Sequence, residues 1–180
     1  YYSVGETGGL KGRKRALFAG GVRIPFLVRW PGTVPAGVVD KTTELATVDL
    51  LPTFLDLAGA NLPENYQADG VSIASAIRGE AFDRQKPIYW DWRFSNDRPD
   101  FWPSAAVQEG NWKLLTNDKL GRAELYNIAN DWAEQKDLAA ENPEKLKELT
   151  YKLQAIQETL PVAPPENSFS KERETLKLAN

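Results

Sequence analysis

Between residues 88 and 128 apolar and polar side chains alternate in four short runs, and this period of two is the strongest constraint on the fold. The runs cover residues 88–92, 105–108, 112–116 and 124–128. Residues 109–111 form a tight turn of the sequence Glu-Gly-Asn, which joins the second and third runs into a hairpin. The pattern therefore predicts a four-stranded antiparallel sheet.

A single amphipathic helix is predicted after this sheet, over residues 143–160. Asn142 is suited to cap this helix, and Pro143 is suited to its first position. Five apolar side chains recur at spacings of three and four and so share one stripe: Leu146, Leu149, Leu153, Ile156 and Leu160. We expect the stripe to cover one face of the sheet, which gives an α+β unit.

The first 80 residues follow other patterns. Residues 22–30 are rich in β-branched and aromatic side chains and predict a strand, in which Pro25 restricts pairing to an edge or to the residues after it. Residues 49–58 predict a helix that is too apolar for a surface, and hence a buried helix packed on a sheet. A short helix is expected near residues 72–78.

A charged and apolar-poor link at residues 80–86 separates these two patterns. We therefore divide the chain into three parts. Residues 1–83 hold a lysine-containing loop, a strand and a buried helix. Residues 84–165 form the α+β subdomain, and residues 166–180 form a polar tail.

The residue types that are missing exclude much of the chemistry that the chain could perform alone. It contains no Cys and no His, which excludes a disulfide, a thiolate nucleophile and a Ser-His-Asp site. No apolar run reaches about 18 residues, so no membrane span is expected. The chain begins at Tyr1 and contains no Met, and we therefore expect it to be a piece of a longer polypeptide.

Basic residues are concentrated near the N-terminus. Residues 1–39 carry six basic side chains and one acidic one, although the whole chain has a net charge of -3. Four of the six lie within residues 11–15, where neighbouring glycines let backbone N–H groups approach an anion. The acidic remainder of the chain argues against a nucleic-acid partner. A small-anion site and a merely solvated basic loop are the two interpretations of this segment.

Six blocks of sequence, taken in order, make the chain resemble a known family. They are LKGRKRALFAGGVRIPFLVRWPG, TVDLLPTFLDLAGA, DGVSIASAIRG, WKLL, ELYNIANDWAEQKDLA and the helix that follows Asn142. Together they resemble the C-terminal part of sulfatases of the arylsulfatase and N-acetylgalactosamine-6-sulfatase type. The resemblance implies an α/β fold, in which the C-terminal piece of an alkaline-phosphatase-like sandwich is followed by the α+β subdomain.

The resemblance also implies which residues act. Sulfatases have an active-site lysine in a loop of the form Leu-x-Gly-x-Lys, which here ends at Lys14, with Arg13 as a further contact to substrate. An ammonium group at this point would stabilise the negative charge that develops on the bridging oxygen as the S–O bond breaks. The structural residues expected near the site are Gly20, Gly21 and Arg23. The family often has Glu before the two glycines, and Ala19 therefore lacks a carboxylate that could hold the loop.

Aromatic residues are frequent at the start of the C-terminal subdomain. Trp90 and Trp112 are expected to fill the core, while the Phe-Trp-Pro run at 101–103 lies in a polar loop. Rings in such a loop need a sugar ring or a neighbouring domain to cover them. In sulfatases this region borders the substrate pocket. By resemblance, the candidates for recognising the group that bears the sulfate are Trp92, Arg93 and Trp102.

By the same resemblance, an intact enzyme uses calcium and a formylglycine nucleophile made from a Cys/Ser-x-Pro-x-Arg motif. The chain contains no such motif, so we expect both in an N-terminal catalytic portion that is its partner, and we expect the chain to be inactive alone. The implied function is hydrolysis of sulfate esters, on a sulfated small molecule or glycan, in a periplasmic, secreted or lysosomal protein. The alternatives are a piece of a phosphodiesterase or phosphonate hydrolase, and a non-catalytic module that binds anionic sugars.

Overall fold

One antiparallel sheet organises the chain in the computed structural model, which describes residues 5–92, 102–117 and 121–161. Its strands are β1 (Ile88–Asp91), β2 (Ala105–Glu109), β3 (Trp112–Asn117) and β4 (Arg122–Asn127). They lie in sequence order, and each pairs antiparallel with the next. Gly110, at φ +52°, makes the turn between β2 and β3 in a conformation that glycine adopts without steric cost. The predicted sheet is confirmed.

In the described part of the chain, three helices precede the four strands, and a fourth follows them. They are α1 (Ala19–Val22), α2 (Leu50–Leu57), α3 (Ala74–Ile77) and α4 (Pro143–Glu158), with a 3-10 turn at Thr47–Asp49 before α2. The helices predicted over 49–58, 72–78 and 143–160 are confirmed. Asn142 precedes α4 as expected, but its side chain caps no helix N–H and instead donates to Leu138 O at 3.2 Å.

Helix α4 covers one face of the sheet. Leu149 and Leu153 are buried there against residues of β2, β3 and β4. Those strand residues are Ala105, Val107, Leu114 and Leu125. Burial of a large apolar side chain stabilises a fold by about 1.5–3 kcal/mol. The leucine stripe of α4 therefore holds the helix on the sheet, as predicted.

Residues 16–22 cover the opposite face of the sheet. Leu17 and Phe18 are buried with Ala106, Leu115 and Tyr126, and the Phe18 ring meets the Tyr126 ring edge-on with their centroids 6.4 Å apart. Three tryptophans pack around this cluster: Trp90, Trp92 and Trp102. The N-terminal segment and the sheet thus share one core. Contacts therefore cross the domain limit that we placed after residue 83, and that limit stays a prediction.

A buried ion pair ties the charged link to the start of α2. Asp49 is fully buried and accepts hydrogen bonds from the Arg84 guanidinium, at 2.8 Å to Oδ2 and 3.0 Å to Oδ1. The same carboxylate accepts the N–H groups of Ala46 and Val71 at 2.7 and 2.9 Å. Both oxygens are therefore satisfied, which a buried carboxylate requires.

Two predictions for the first 83 residues are wrong for the chain as described. Residues 22–30 form no strand. Val22 is the last residue of α1, and none of the described strands pairs with the segment that follows. Helix α2 is not buried, since Leu51 and Phe54 are 48% and 58% exposed. Both predictions needed a further sheet to pair with or pack on, and β1–β4 pair only with one another.

Candidate functional site

The lysine loop, defined as residues 10–18, places Lys14 at the corner of a tight turn. Ala16 donates its N–H to Arg13 O at 2.9 Å, which closes the turn over residues 13–16. Arg15 has a φ of +76°, a conformation that is uncommon for residues other than glycine and asparagine. The turn leaves the side chain of Lys14 exposed.

Gly20 and Gly21 let the lysine loop fold back against the start of α1. A Cβ at Gly20 would lie 2.4 Å from Gly12 O, and one at Gly21 would lie 2.0 Å from Ala16 O. No real side chain makes such contacts, so the space admits only glycine. Gly20 also donates its N–H to Lys11 O at 2.8 Å, which closes the base of the loop.

Three cations of the loop point to solvent. Arg13, Lys14 and Arg15 are exposed, and their side chains make no hydrogen bond or ion pair with the residues that the structure describes. Lys11 differs, because its Nζ donates to Tyr126 Oη at 2.8 Å and lies 3.5 Å from Glu124 Oε2. Lys11 is thus neutralised by the sheet, while the other three remain able to bind an anion.

Glu124 is the centre of a polar cluster on the sheet face below the loop. Tyr126 Oη donates to Glu124 Oε2 at 2.5 Å, and Arg122 Nη2 donates to Oε1 at 2.5 Å. Burial alone would raise the pKa of Glu124, but the hydrogen bonds from Tyr126 and Arg122 and the charge of Lys11 outweigh it and lower that pKa. Burial, followed by the bond to Glu124, raises the pKa of the Tyr126 phenol. The cluster is therefore fixed as a carboxylate and a neutral phenol.

A cation–aromatic pair lies beside this cluster. The guanidinium of Arg122 stacks over the Trp102 ring at 4.1 Å from its centroid, and half of the Arg122 side chain is exposed. Sequence reasoning missed Arg122. The signal was available, because Arg122, Glu124 and Tyr126 alternate along β4 and so share one face.

Of the residues predicted to recognise the group that bears the sulfate, two lie on the sheet face that the lysine loop covers. Trp92 and Trp102 pack against the same core cluster as Leu17 and Phe18 of the lysine loop. Arg93 lies outside the described residues. Arg23 is exposed and donates its backbone N–H to Ala19 O at 2.8 Å, but its side chain has no partner in the described part of the chain.

A second buried ion pair, also missed from the sequence, connects the sheet to α1. Lys113 Nζ lies 2.6 Å from Glu134 Oε1, and both side chains are at most 2% exposed. The other oxygen, Oε2, accepts the N–H of Ala19 at 2.7 Å. Burial lowers the pKa of Lys113, and the charge of Glu134 opposes this shift. The carboxylate near the two glycines is thus supplied by a residue 115 positions away.

The described residues do not fit the metal centre that the sulfatase resemblance implies. Residues 5–92, 102–117 and 121–161 contain no group of three acidic side chains that could hold a metal ion, and the sequence has no Cys or His.

Within those ranges no helix has the length and apolar character that crossing a membrane requires.

Comparison with known proteins identifies the family. The family model described as N-sulphoglucosamine sulphohydrolase, C-terminal, matches residues 5–160. A sulfatase of Formosa agariphila is 34% identical over 143 residues, which cover 74% of this chain and 26% of that protein. A choline-sulfatase of Rhizobium meliloti is 31% identical over 131 residues, which cover 72% of this chain and 24% of the relative.

A solved structure gives the same result. Ps i-CgsB, crystallised in complex with k-i-k-neocarrahexaose, superposes with a TM-score of 0.69 at 32% identity, over 82% of this chain and 31% of that one. The chain thus spans about a quarter to a third of the length of these three proteins. It belongs to the sulfatase family of the alkaline-phosphatase-like superfamily, and it corresponds to the C-terminal part of such a protein.

Proposed function

We propose that this chain is the C-terminal part of a sulfate-ester hydrolase and that Lys14 contacts the sulfate group of the substrate. The observation that carries the proposal is the lysine loop itself. Its turn exposes Arg13, Lys14 and Arg15 with no described partner, while Gly20 and Gly21 fix the backbone beneath them. A loop that holds unpaired cations in a fixed geometry is suited to bind an anion.

The chemistry needs a cation at this point. When a sulfate ester is hydrolysed, the S–O bond to the alcohol breaks and negative charge develops on the bridging oxygen. The ammonium group of Lys14 would stabilise that charge more strongly in the transition state than in the substrate, which accelerates the reaction. Arg13 would bind the non-bridging sulfate oxygens, which carry charge throughout.

The group that bears the sulfate would lie against the sheet face beside the loop. Trp92 and Trp102 offer apolar ring surface there, and Arg122 adds a donor that its stacking on Trp102 holds in place. Aromatic rings are suited to pack on the apolar faces of sugars. The complex of Ps i-CgsB with a neocarrahexaose supports a carbohydrate substrate, and we therefore propose a sulfated glycan.

The nucleophile and the metal would come from the remainder of the protein. Sulfatases use formylglycine and calcium, and we place both in an N-terminal catalytic portion that this chain does not include. That portion would be the principal partner of the chain. The comparisons are consistent with a large additional portion, since the chain covers only 26% of the Formosa agariphila sulfatase.

We propose that this portion docks on an exposed apolar face. Residues 24–30 present Ile24, Phe26, Leu27 and Trp30 to solvent, and Leu27 is 88% exposed. Phe26 and Trp30 of this segment, with Phe54 of α2, border a shallow apolar groove of about 340 Å³. A surface of this kind is rarely left uncovered in a soluble protein. None of the described strands pairs with this segment, so its backbone is available to a strand of that portion.

Replacement of Leu27 by glutamate tests this docking in the intact protein. If the face is covered there, Leu27→Glu should lower the free energy of unfolding by about 1.5–3 kcal/mol, because a buried leucine is lost. Tyr151→Glu is the matched control, since Tyr151 is 73% exposed on α4, outside the proposed interface. Urea denaturation measures both variants. Equal and small effects would contradict the docking.

The substrate class is tested by comparing leaving-group-matched esters. The intact protein should hydrolyse an aryl sulfate with a kcat/KM at least about 100-fold above that for the corresponding phosphate diester. A preference for the diester would instead assign the chain to a phosphodiesterase or phosphonate hydrolase. Absence of turnover, together with binding of a sulfated sugar, would leave the non-catalytic module as the explanation.

A further inference from the structure

The buried pair of Lys113 and Glu134 is an unusual feature for a small sheet. Both side chains are almost fully removed from water, and the two charges lie 2.6 Å apart. Removing two charges from water is costly, and such pairs often stabilise a fold no better than apolar side chains of the same size. Stability alone therefore does not account for this pair, and its contacts suggest another role.

The second oxygen of Glu134 holds the end of the lysine loop. Oε2 accepts the N–H of Ala19, the first residue of α1, and Phe18 before it provides no side-chain cap. The neighbouring residue holds the start of the loop, because Ala133 O accepts the N–H of Lys11 at 3.3 Å. Two adjacent residues after β4 thus fasten both ends of the segment that carries Lys14.

The turn that contains Glu134 is itself firmly held. Asp131 accepts the N–H groups of Gln135 and Lys136 through its two carboxylate oxygens, at 3.0 and 2.8 Å. Glu134 donates its N–H to Asp131 O at 3.1 Å and has a φ of +56°. A non-glycine residue in this left-handed conformation is maintained only where its surroundings require it. The position of the Glu134 carboxylate is therefore fixed by the backbone.

We propose that Glu134 is a positioning residue for the reaction at Lys14: it holds the lysine loop against the sheet through Ala19, and Lys113 neutralises the buried charge of Glu134. This inference rests on the proposed function of Lys14. It assigns no contact with substrate to Glu134. Its effect should therefore fall on kcat, which depends on the alignment of Lys14 with the reacting oxygen, more than on KM.

Two double variants of the intact protein separate positioning from stability. Glu134→Gln with Lys113→Met keeps an amide oxygen that can accept the Ala19 N–H, but it leaves a buried amide N–H₂ without an acceptor. Glu134→Leu with Lys113→Met removes the bond to Ala19 and leaves no polar group unpaired on either side chain. The second variant leaves the buried Ala19 N–H without an acceptor instead, so each double variant has an unpaired buried donor and the two should be similarly stable, whereas only the first keeps the tether.

If Glu134 positions the loop, the Leu–Met variant should have a kcat at least about 10-fold below that of the Gln–Met variant, with KM values within about threefold. Equal kcat values, or kcat values that follow the unfolding midpoints, would overturn the proposal. If either double variant does not fold, Lys113→Met alone is assayed at a temperature where thermal unfolding shows it to be folded, because it keeps the Ala19 bond but leaves the Glu134 carboxylate buried without its cation. Its kcat should stay within about threefold of the wild type, and a 10-fold loss would overturn the proposal.

Lys14→Ala, assayed in parallel, separates this inference from the proposed function. Unchanged turnover in Lys14→Ala would overturn the role of Lys14 itself. Reduced turnover in Lys14→Ala, combined with equal kcat values in the two double variants, would overturn only the positioning role of Glu134.

Discussion

Lys14→Ala in the intact protein should lower kcat for a sulfate ester by about 10²–10³-fold, the effect of removing one preorganised group that stabilises a developing oxyanion. The side chain makes no hydrogen bond or ion pair with the residues that the structure describes, so its loss should leave the fold unchanged. Steady-state kinetics measure the effect, and thermal unfolding checks that the variant is folded.

Lys147→Ala is the matched control for this experiment. Lys147 is an exposed lysine on α4, which covers the sheet face opposite the lysine loop. Its replacement should change kcat by less than about twofold. If Lys14→Ala behaved like Lys147→Ala, the lysine loop would be a solvated basic segment, the other interpretation of its composition.

Asp49→Ala should lower the free energy of unfolding by about 3–5 kcal/mol. The Arg84 side chain is only 6% exposed, so loss of Asp49 would leave a buried guanidinium without its partner. The N–H groups of Ala46 and Val71 would lose their acceptor as well. Urea denaturation of the intact protein, followed by circular dichroism, measures the change.

An exposed ion pair of the same chain provides the comparison. Lys136 and Glu141 lie 2.9 Å apart, and their side chains are 66% and 58% exposed. Glu141→Ala should change the free energy of unfolding by less than about 1 kcal/mol, because water screens such pairs. A loss from Asp49→Ala no larger than that from Glu141→Ala would mean that the link at 80–86 is not anchored by Arg84.

The sheet and α4 could be predicted because their patterns are local. A period of two marks β1–β4, and leucines three and four apart mark α4; both patterns are complete within a few residues. The predictions of a strand at 22–30 and of a buried α2 could not be judged in this way. Their apolar side chains require a further surface to pack on, and the described part of the chain does not provide it.

The residues of the candidate site differ in the same way, since some belong to a local sequence pattern and others have partners far away in the sequence. Lys14, Gly20 and Gly21 follow from a short motif and its resemblance to sulfatases. Glu134 does not, because its partners Lys113 and Ala19 are 21 and 115 positions away and no periodicity connects them. Arg122 lies between these cases, since alternation along β4 places it with Glu124 and Tyr126, but only the fold brings it to Trp102.

Because Leu17 and Phe18 are part of the sheet core, the lysine loop cannot act as a lid. A lid opens and closes in every catalytic cycle, and opening here would expose two buried apolar side chains and break the bonds at Lys11 and Ala19. In the proposed function, the loop therefore stays in place while substrate enters and product leaves. Any gating motion would then belong to other segments of the protein.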